Sequence, residues 1–164
     1  MQAVVSLGTG LLARSASNAG LGPAAEHSRV DAKLELLARL PVFAGCSRKE
    51  LVRLGRITDL AHWEAGESLL VEGGRCEHWV VIARGCALVL RDDRPLCALG
   101  PGDWCGDGAI ARHSPSDVTV VAMTPITVVV MSHQHFLALP GRFPAVATFL
   151  VRALCARSSA FERT

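Results

Sequence analysis

The regular spacing of turn residues after residue 58 constrains the fold more than any other feature of the sequence. Glycine, proline and aspartate separate short apolar runs that are rich in valine and leucine. These runs are Ser68 to Val71, Trp79 to Ala83, Ala87 to Leu90, Leu96 to Leu99, Val118 to Met123 and Thr127 to Met131. Short runs at this spacing are typical of an antiparallel sandwich or roll. Because most of the runs have no helix between them, hairpins and Greek-key returns connect them, which argues against a parallel sheet.

Helices are predicted before these strands. Ser28 and Asp31 have the spacing of a capping box, and the apolar residues after them predict a helix that runs to about Arg39. Ser47 and Glu50 form a second box. The helix that this second box opens would bury a stripe of Leu51, Leu54 and Ile57.

The last helix is more apolar than a surface helix needs to be. Pro144 suits its first position, and between Ala145 and Ala156 only Thr148 and Arg152 are polar. An apolar surface of this extent packs on two sides. One side would cover the roll. The other would meet a second copy of the chain or another protein through Leu150, Leu154 and Phe161; alternatively, the helix is sunk deeply into its own domain.

Length and charge limit the domain organisation and the partners. Residues 1–27 are rich in glycine, alanine and serine without a sustained period, which predicts a flexible tail before one domain over residues 28–164. With 17 basic and 15 acidic residues the formal charge is +2, so the net charge does not indicate a basic surface that binds the phosphates of a nucleic acid. About eight residues follow the closing helix, so we expect no helix-turn-helix and no DNA binding by this chain alone.

The location predicted for the chain is the cytoplasm. No apolar run approaches the length that crosses a bilayer, so we expect no membrane association. The first residues lack the basic start of a secretory signal. The six cysteines form no Cys-x-x-Cys pair, which favours reduced thiols over a disulfide framework.

The order of motifs resembles the cyclic-nucleotide-binding domain, the sensor domain of catabolite-activator-type regulators, kinase regulatory subunits and gated channels. The likeness runs from about Leu34 to Leu154, and its strongest stretches are Leu40 to Gly45, Trp63 to Gly74, Gly85 to Gly106 and Val118 to Ala122. It implies a mainly β (α+β) fold, an antiparallel β-roll or jelly roll flanked by N-terminal helices and a C-terminal helix. It also implies a regulatory role without enzymatic activity or catalytic residues.

The resemblance places the ligand against a short helix. The family opens this helix with Gly-Glu-Leu-Ala, whose backbone N–H groups and glutamate receive the phosphate and a ribose hydroxyl. Here the same place has Gly106, Asp107, Gly108 and Ala109, so the backbone donors remain while the carboxylate is one methylene shorter. The alternative interpretation is a simple tight turn.

The resemblance also identifies a departure in the phosphate motif. The family pairs the cyclic phosphate with the arginine of Arg-x-Ala-Thr, whereas this chain has Ser116, Asp117 and Val118 before Thr119. The loss of an ionic hydrogen bond weakens binding by roughly 1.5–3 kcal/mol, at least about tenfold in affinity. Arg112 is either a substitute phosphate cation or a solvated loop charge.

Two functions therefore stay open. In the first, the chain is a regulatory sensor that binds cyclic AMP or cyclic GMP weakly or not at all and repositions its last helix. In the second, the pocket has decayed and the apolar last helix makes the chain a protein–protein adaptor. We expect no cofactor beyond a weakly held cyclic nucleotide. We also expect no metal, because neither His133 with His135 nor Cys76 with His78 and Cys105 supplies a full ligand set.

Overall fold

The structure, a computed structural model, describes residues 23–161, with side chains from residue 27 to residue 156. Within this part, eight strands form two four-stranded antiparallel sheets. The strands are β1 Thr58–Trp63, β2 Ser68–Leu70, β3 His78–Arg84, β4 Ala87–Arg91, β5 Arg94–Leu99, β6 Trp104–Cys105, β7 Thr119–Ala122 and β8 Ile126–Ser132. The first sheet has the order β1-β8-β3-β6 and the second has the order β2-β7-β4-β5. The predicted mainly β roll with flanking helices is confirmed.

Six α-helices of the described part flank the two sheets. They are α1 Pro23–Arg39, α2 Arg48–Ile57, α3 Asp107–Arg112, α4 His133–Leu137, α5 Leu139–Arg142 and α6 Pro144–Phe161, with a 3-10 turn at Pro41–Phe43. No helix within residues 23–161 combines the length and apolar character needed to cross a bilayer.

The two predicted helix starts have different outcomes. The capping box of α2 is confirmed, because Ser47 Oγ accepts a hydrogen bond from Glu50 N and Glu50 Oε2 accepts one from Ser47 N. The predicted box at Ser28 is wrong: α1 begins at Pro23, whose fixed φ suits a first helical position, and Ser28 lies inside the helix. The tail predicted over residues 1–27 therefore overlaps α1, and residues 1–22 lie outside the described part.

The sandwich has an inner and an outer core. The inner core fills the space between the sheets with alternate residues of the strands, among them Val80 and Ile82 of β3. The outer core lies between the first sheet and the helices, and Trp79 and Val81 of β3 face into it. Trp79 and Trp104 both belong to the outer core.

The β4–β5 hairpin closes on a two-residue turn. Asp92 and Asp93 both have positive φ, at 50° and 59°, and Arg91 pairs with Arg94 across the turn. Aspartate tolerates this backbone conformation, and turns of this hand match the twist of the strands. The end of β4 lies beside the segment before β7, with which β4 pairs.

Candidate functional site

The predicted binding residues lie around one cavity at the end of the sandwich. This cavity, which we call the roll cavity, has a volume of about 250 Å³. Its apolar lining comes mainly from the second sheet, with Leu70, Val89, Leu99 and Val120. Its other lining includes Gly106, Asp107, Gly108, Ala109, Arg112, Ser116, Asp117 and Val118. The volume is close to the lower end of small-molecule pockets, roughly 300–1,000 Å³.

Gly106 fixes the start of the wall formed by α3. Its φ is +94°, and a Cβ atom built on it would lie 2.6 Å from the carbonyl oxygen of His78 and 3.1 Å from Cys76 Sγ. A side chain at this position would therefore be strained and would collide with β3. Only glycine lets the chain leave β6 and enter α3 this close to the neighbouring strand.

Ser116 is the residue at the place of the family arginine, and its hydroxyl is engaged within the chain. The side chain donates to the carbonyl of Val118 at 2.7 Å and accepts from Val118 N at 3.3 Å. The backbone of Ser116 also exchanges hydrogen bonds with the loop at Gly73 and Gly74. Ser116 is only 4% exposed, so this segment is held rigidly at the edge of the roll cavity.

Asp117 lies between two arginines at the mouth of the roll cavity. Its Oδ2 atom is 3.1 Å from Arg91 Nη2 and 3.7 Å from Arg112 Nη2. Arg91 Nε also donates to the backbone carbonyl of Asp117 at 3.2 Å. Arg91 was missed by sequence reasoning, because the two residues are 26 positions apart and meet only through the pairing of β4 with β7.

Trp104 connects the roll cavity to the last helix. Trp104 is among the residues that border the cavity, and its ring, which packs in the outer core, lies 6.1 Å from the ring of Phe149 in an edge-on arrangement. Phe149 belongs to α6 and packs against the outer core. Sequence reasoning did not identify this contact; the tryptophan beside the Gly106 turn was the only signal.

A second cavity also borders α3. This cavity, the rear cavity, has a volume of about 390 Å³ and includes Arg75, Glu77, His113 and His133 in its lining. Arg75 is paired with Glu77 at 3.2 Å. The predicted binding residues other than Ala109 do not reach it.

The cysteine and histidine cluster beside α3 has the character of packed core rather than of a ligand set. Cys76 Sγ donates to the carbonyls of His78 and Gly106. Burial raises the pKa of the Cys76 thiol and raises that of Cys105 to about 12. Such thiols stay protonated at neutral pH. Across residues 23–161, no three histidine, cysteine, aspartate or glutamate side chains are grouped to hold a metal ion.

The predicted interface residues of α6 differ in exposure. Leu150 is buried in the outer core, which removes it from the surface that a partner could contact. Leu154 is 41% exposed, and the neighbouring Val151 is 60% exposed. Phe161 ends the helix, but its side chain lies outside the described residues.

A comparison with protein-family models identifies a family for this chain. The model for the cyclic nucleotide-binding domain matches residues 60–142, just over half of the 164 residues. The matched segment begins in β1, includes the walls of the roll cavity, and ends with α5.

Solved structures with a similar fold include protein kinase A regulatory subunits and a catabolite activator protein. PfPKA-R with bound cAMP is 17% identical with a TM-score of 0.72, covering 84% of this chain and 48% of that chain. The regulatory subunit of a cAMP-independent protein kinase A from Trypanosoma brucei is 21% identical with a TM-score of 0.68, covering 79% and 48%. A triple mutant of the latter, bound to cAMP in the A site, gives the same values.

The catabolite activator protein of Thermus thermophilus also matches. It is 22% identical with a TM-score of 0.67, and the match covers 74% of this chain and 60% of that chain. At these identities the likeness concerns the fold. The chain spans about half the length of the two kinase regulatory subunits.

Proposed function

This chain belongs to the cyclic nucleotide-binding domain family, and from that premise we propose that it is a non-enzymatic regulatory module whose roll cavity senses a cyclic nucleotide. Binding of cyclic AMP and cyclic GMP is weaker than in a member with the family arginine. The response to the ligand is a change in the position of α6.

One observation carries this proposal. The two segments that the family uses for its ligand, Gly106–Ala109 and Ser116–Val118, face a common cavity of about 250 Å³ instead of packing against each other. A pocket that had decayed completely would be filled by its own side chains, because protein interiors leave few voids. Val118 packs against the inner core yet still lines the cavity.

Weak binding follows from the replacement of the family arginine by Ser116. The serine hydroxyl is committed to the backbone of Val118, so it offers the ligand no free donor. The loss of one hydrogen bond to a charged group weakens binding roughly ten- to a hundredfold. The carboxylate of Asp117 at the cavity mouth is paired with Arg91 and Arg112, so it competes with a phosphate for these guanidinium groups.

Trp104 supplies a physical connection from the ligand to the last helix. Trp104 borders the roll cavity, and its ring packs in the outer core against the ring of Phe149 in α6. A ligand changes the helix only when it binds one helix position more tightly than another. A nucleotide that shifts β6 at Trp104 would create that difference through the ring of Phe149.

Calorimetric titration of the full chain with cyclic AMP and with cyclic GMP tests the proposal. We expect saturable heat with a dissociation constant above about a hundred micromolar for the natural sequence. The variant Ser116→Arg with Val118→Ala restores the cation and the small neighbour, so it should bind at least about tenfold more tightly. The T. brucei triple mutant, which gains an arginine and two alanines, supports this expectation because it is bound to cAMP.

A matched variant separates the added cation from a general effect of the substitutions. Ser116→Gln with Val118→Ala adds a long polar side chain without charge and should leave the affinity close to that of the natural sequence. If neither nucleotide produces heat with the natural chain or with the arginine variant, while both remain folded, the sensor function is refuted.

A second candidate function rests on the exposed apolar side chains of α6. Val151 and Leu154 are exposed although each is a large hydrophobic residue, which supports an adaptor or a homodimer that uses this face. Sedimentation of the natural chain and of Val151→Lys with Leu154→Lys tests it. Self-association that the lysines abolish supports a homodimer, and a monomer in both cases removes the self-association surface.

A further inference from the structure

We propose that Arg112 is the cation that receives the ligand phosphate, and that Asp117 holds its guanidinium at the cavity mouth until the phosphate arrives. This inference rests on the proposed function, since it assigns the phosphate contact of the same cavity. Arg112 thus takes over, from α3, a role that the family gives to an arginine at the position of Ser116.

The guanidinium of Arg112 lies against Gly108. A Cβ atom built on Gly108 would lie 3.5 Å from Arg112 Nη2, 3.6 Å from Nη1 and 3.8 Å from Cζ. Residues four apart on a helix share a face, so the arginine folds back along α3 over the glycine. Because Gly108 and Arg112 both line the cavity, the guanidinium lies at the cavity wall, although its side chain is more than half exposed. A branched side chain at position 108 would occupy the same space.

Arg112 is better placed to reach the ligand than Arg91, which is held by two contacts with Asp117. Among the described residues that line the roll cavity, it alone carries a positive side chain. A guanidinium offers two parallel N–H donors to a phosphate, and such charge-assisted pairs are roughly twice as strong as neutral hydrogen bonds. The ligand class that fits is therefore a nucleotide with an anionic phosphate rather than an uncharged nucleoside.

The ion pair between Arg112 and Asp117 is easily exchanged. The distance of 3.7 Å is longer than the 3.1 Å between Arg91 and the same carboxylate oxygen, and both partners of the pair are more than half exposed. An exposed pair of this kind changes an equilibrium by at most roughly fivefold. When Arg112 turns to a phosphate, Arg91 keeps Asp117 neutralised through its side-chain and backbone contacts.

Titration calorimetry of the full chain with cyclic AMP, cyclic GMP and adenosine tests this assignment. Arg112→Ala should weaken binding of the better nucleotide roughly ten- to a hundredfold. Arg29→Ala removes an exposed arginine of α1 that does not line the cavity and should leave the affinity unchanged. Asp117→Asn removes the competing carboxylate but keeps the carbonyl contact with Arg91, so it should tighten binding up to roughly fivefold.

Substitutions at Gly108 test the position of the guanidinium without changing any charge. Gly108→Leu should displace Arg112 and weaken nucleotide binding about as much as Arg112→Ala does. Gly108→Ala adds a methyl group at ordinary contact distance and should cost less than the leucine. Leucine and alanine both favour helix over glycine, so neither variant should lower the unfolding midpoint.

The results separate this inference from the proposed function. If a nucleotide binds the natural chain but Arg112→Ala and Gly108→Leu bind it equally well, the role of Arg112 is refuted and the sensor function stands. If adenosine binds as tightly as cyclic AMP, the role of Arg112 as the phosphate cation is also refuted, and the sensor function stands. If no nucleotide binds the natural chain, Asp117→Asn or the Ser116→Arg variant, both proposals fail.

Discussion

At the scale of single residues, the site depends on positions where the backbone leaves no choice of side chain. Gly106 is the clearest, because its φ of +94° and the carbonyl of His78 each exclude a larger residue. Gly66 has a similar φ of +88°, but a methyl group placed on its Cα would have no other atom within 4 Å. A side chain at Gly66 would cost only the free energy of the strained backbone conformation, whereas one at Gly106 would add the free energy of a steric clash. Comparing the two positions therefore separates these contributions.

We expect Gly106→Ala to lower the free energy of unfolding by about 3 kcal/mol or more, because a strained conformation and an overpacked contact add. Gly66→Ala should cost about 1–2 kcal/mol, the conformational part alone. Urea denaturation of both variants measures the difference. Equal losses would contradict the close approach of α3 to β3.

A second residue-scale prediction concerns His78, whose side chain is half-buried. Desolvation lowers the pKa of His78 below its ordinary 6.5, and the other groups that act on it are Glu77, His133 and Asp59. Its Nδ1 atom is buried without a hydrogen-bond partner. Protonation therefore favours the unfolded chain.

As the pH falls below 6.5, the unfolded chain takes up this proton first, so the free energy of unfolding should fall until the pH passes the folded pKa. His78→Gln should remove this part of the pH dependence. His27→Gln, which changes an exposed histidine of α1, should not remove it. Denaturation curves at pH 7.5 and 5.0 test this, and an unchanged pH slope in His78→Gln would contradict it.

At the scale of elements, helix starts follow from local hydrogen bonding. The Ser47 and Glu50 box caps α2 with two reciprocal bonds, and the residues responsible are close in sequence. The start of α1 was predicted wrongly because Ser28 has the same pattern but lies within a helix that Pro23 begins earlier. A capping pattern specifies a helix start only where the preceding residues are not helical.

Ser47→Ala should therefore destabilise the chain by about 1 kcal/mol, because the N-terminus of α2 loses its cap. Ser28→Ala should have almost no effect or stabilise slightly, since alanine is the better residue inside a helix. Thermal unfolding of the two variants measures both. If Ser28→Ala lowered the stability as much as Ser47→Ala does, Ser28 would have to be an N-cap after all.

A further element-scale prediction concerns the contact between Trp104 and Phe149. Phe149→Leu keeps an apolar side chain but removes the ring pair, at a cost of about 1 kcal/mol in stability. Phe136→Leu removes the ring pair with Trp79, which does not line the roll cavity, and is the matched control. Only Phe149→Leu should reduce the nucleotide-dependent change in amide hydrogen exchange of α6. An undiminished change would show that the ligand acts on the helix by another route.

At the scale of the whole molecule, the sequence predicts what depends on local patterns. The roll, the turn at Asp92 and Asp93, and the apolar last helix all follow from residue spacing. β1 was missed because Asp59 and His62 interrupt its apolar pattern, and β6 because two residues are too short for a periodic signal.

The charge arrangement at the cavity mouth could not be predicted from the sequence. Arg91 and Asp117 meet because Leu90 pairs with Thr119 in the register of β4 and β7. A shift of one residue would turn these side chains to the other face of the sheet. The position of Arg112 over Gly108 likewise depends on where α3 sits in the sandwich, which no local motif specifies.

The central claim is that the roll cavity of this chain still receives a cyclic nucleotide. A titration of the isotopically labelled full chain with cyclic AMP, followed by amide NMR spectroscopy, tests it most directly because weak binding remains visible. The account predicts saturable shifts at Gly106–Ala109 and Ser116–Val118, accompanied by shifts in α6 around Phe149. Unchanged amide resonances at these positions with millimolar cyclic AMP and cyclic GMP would contradict it.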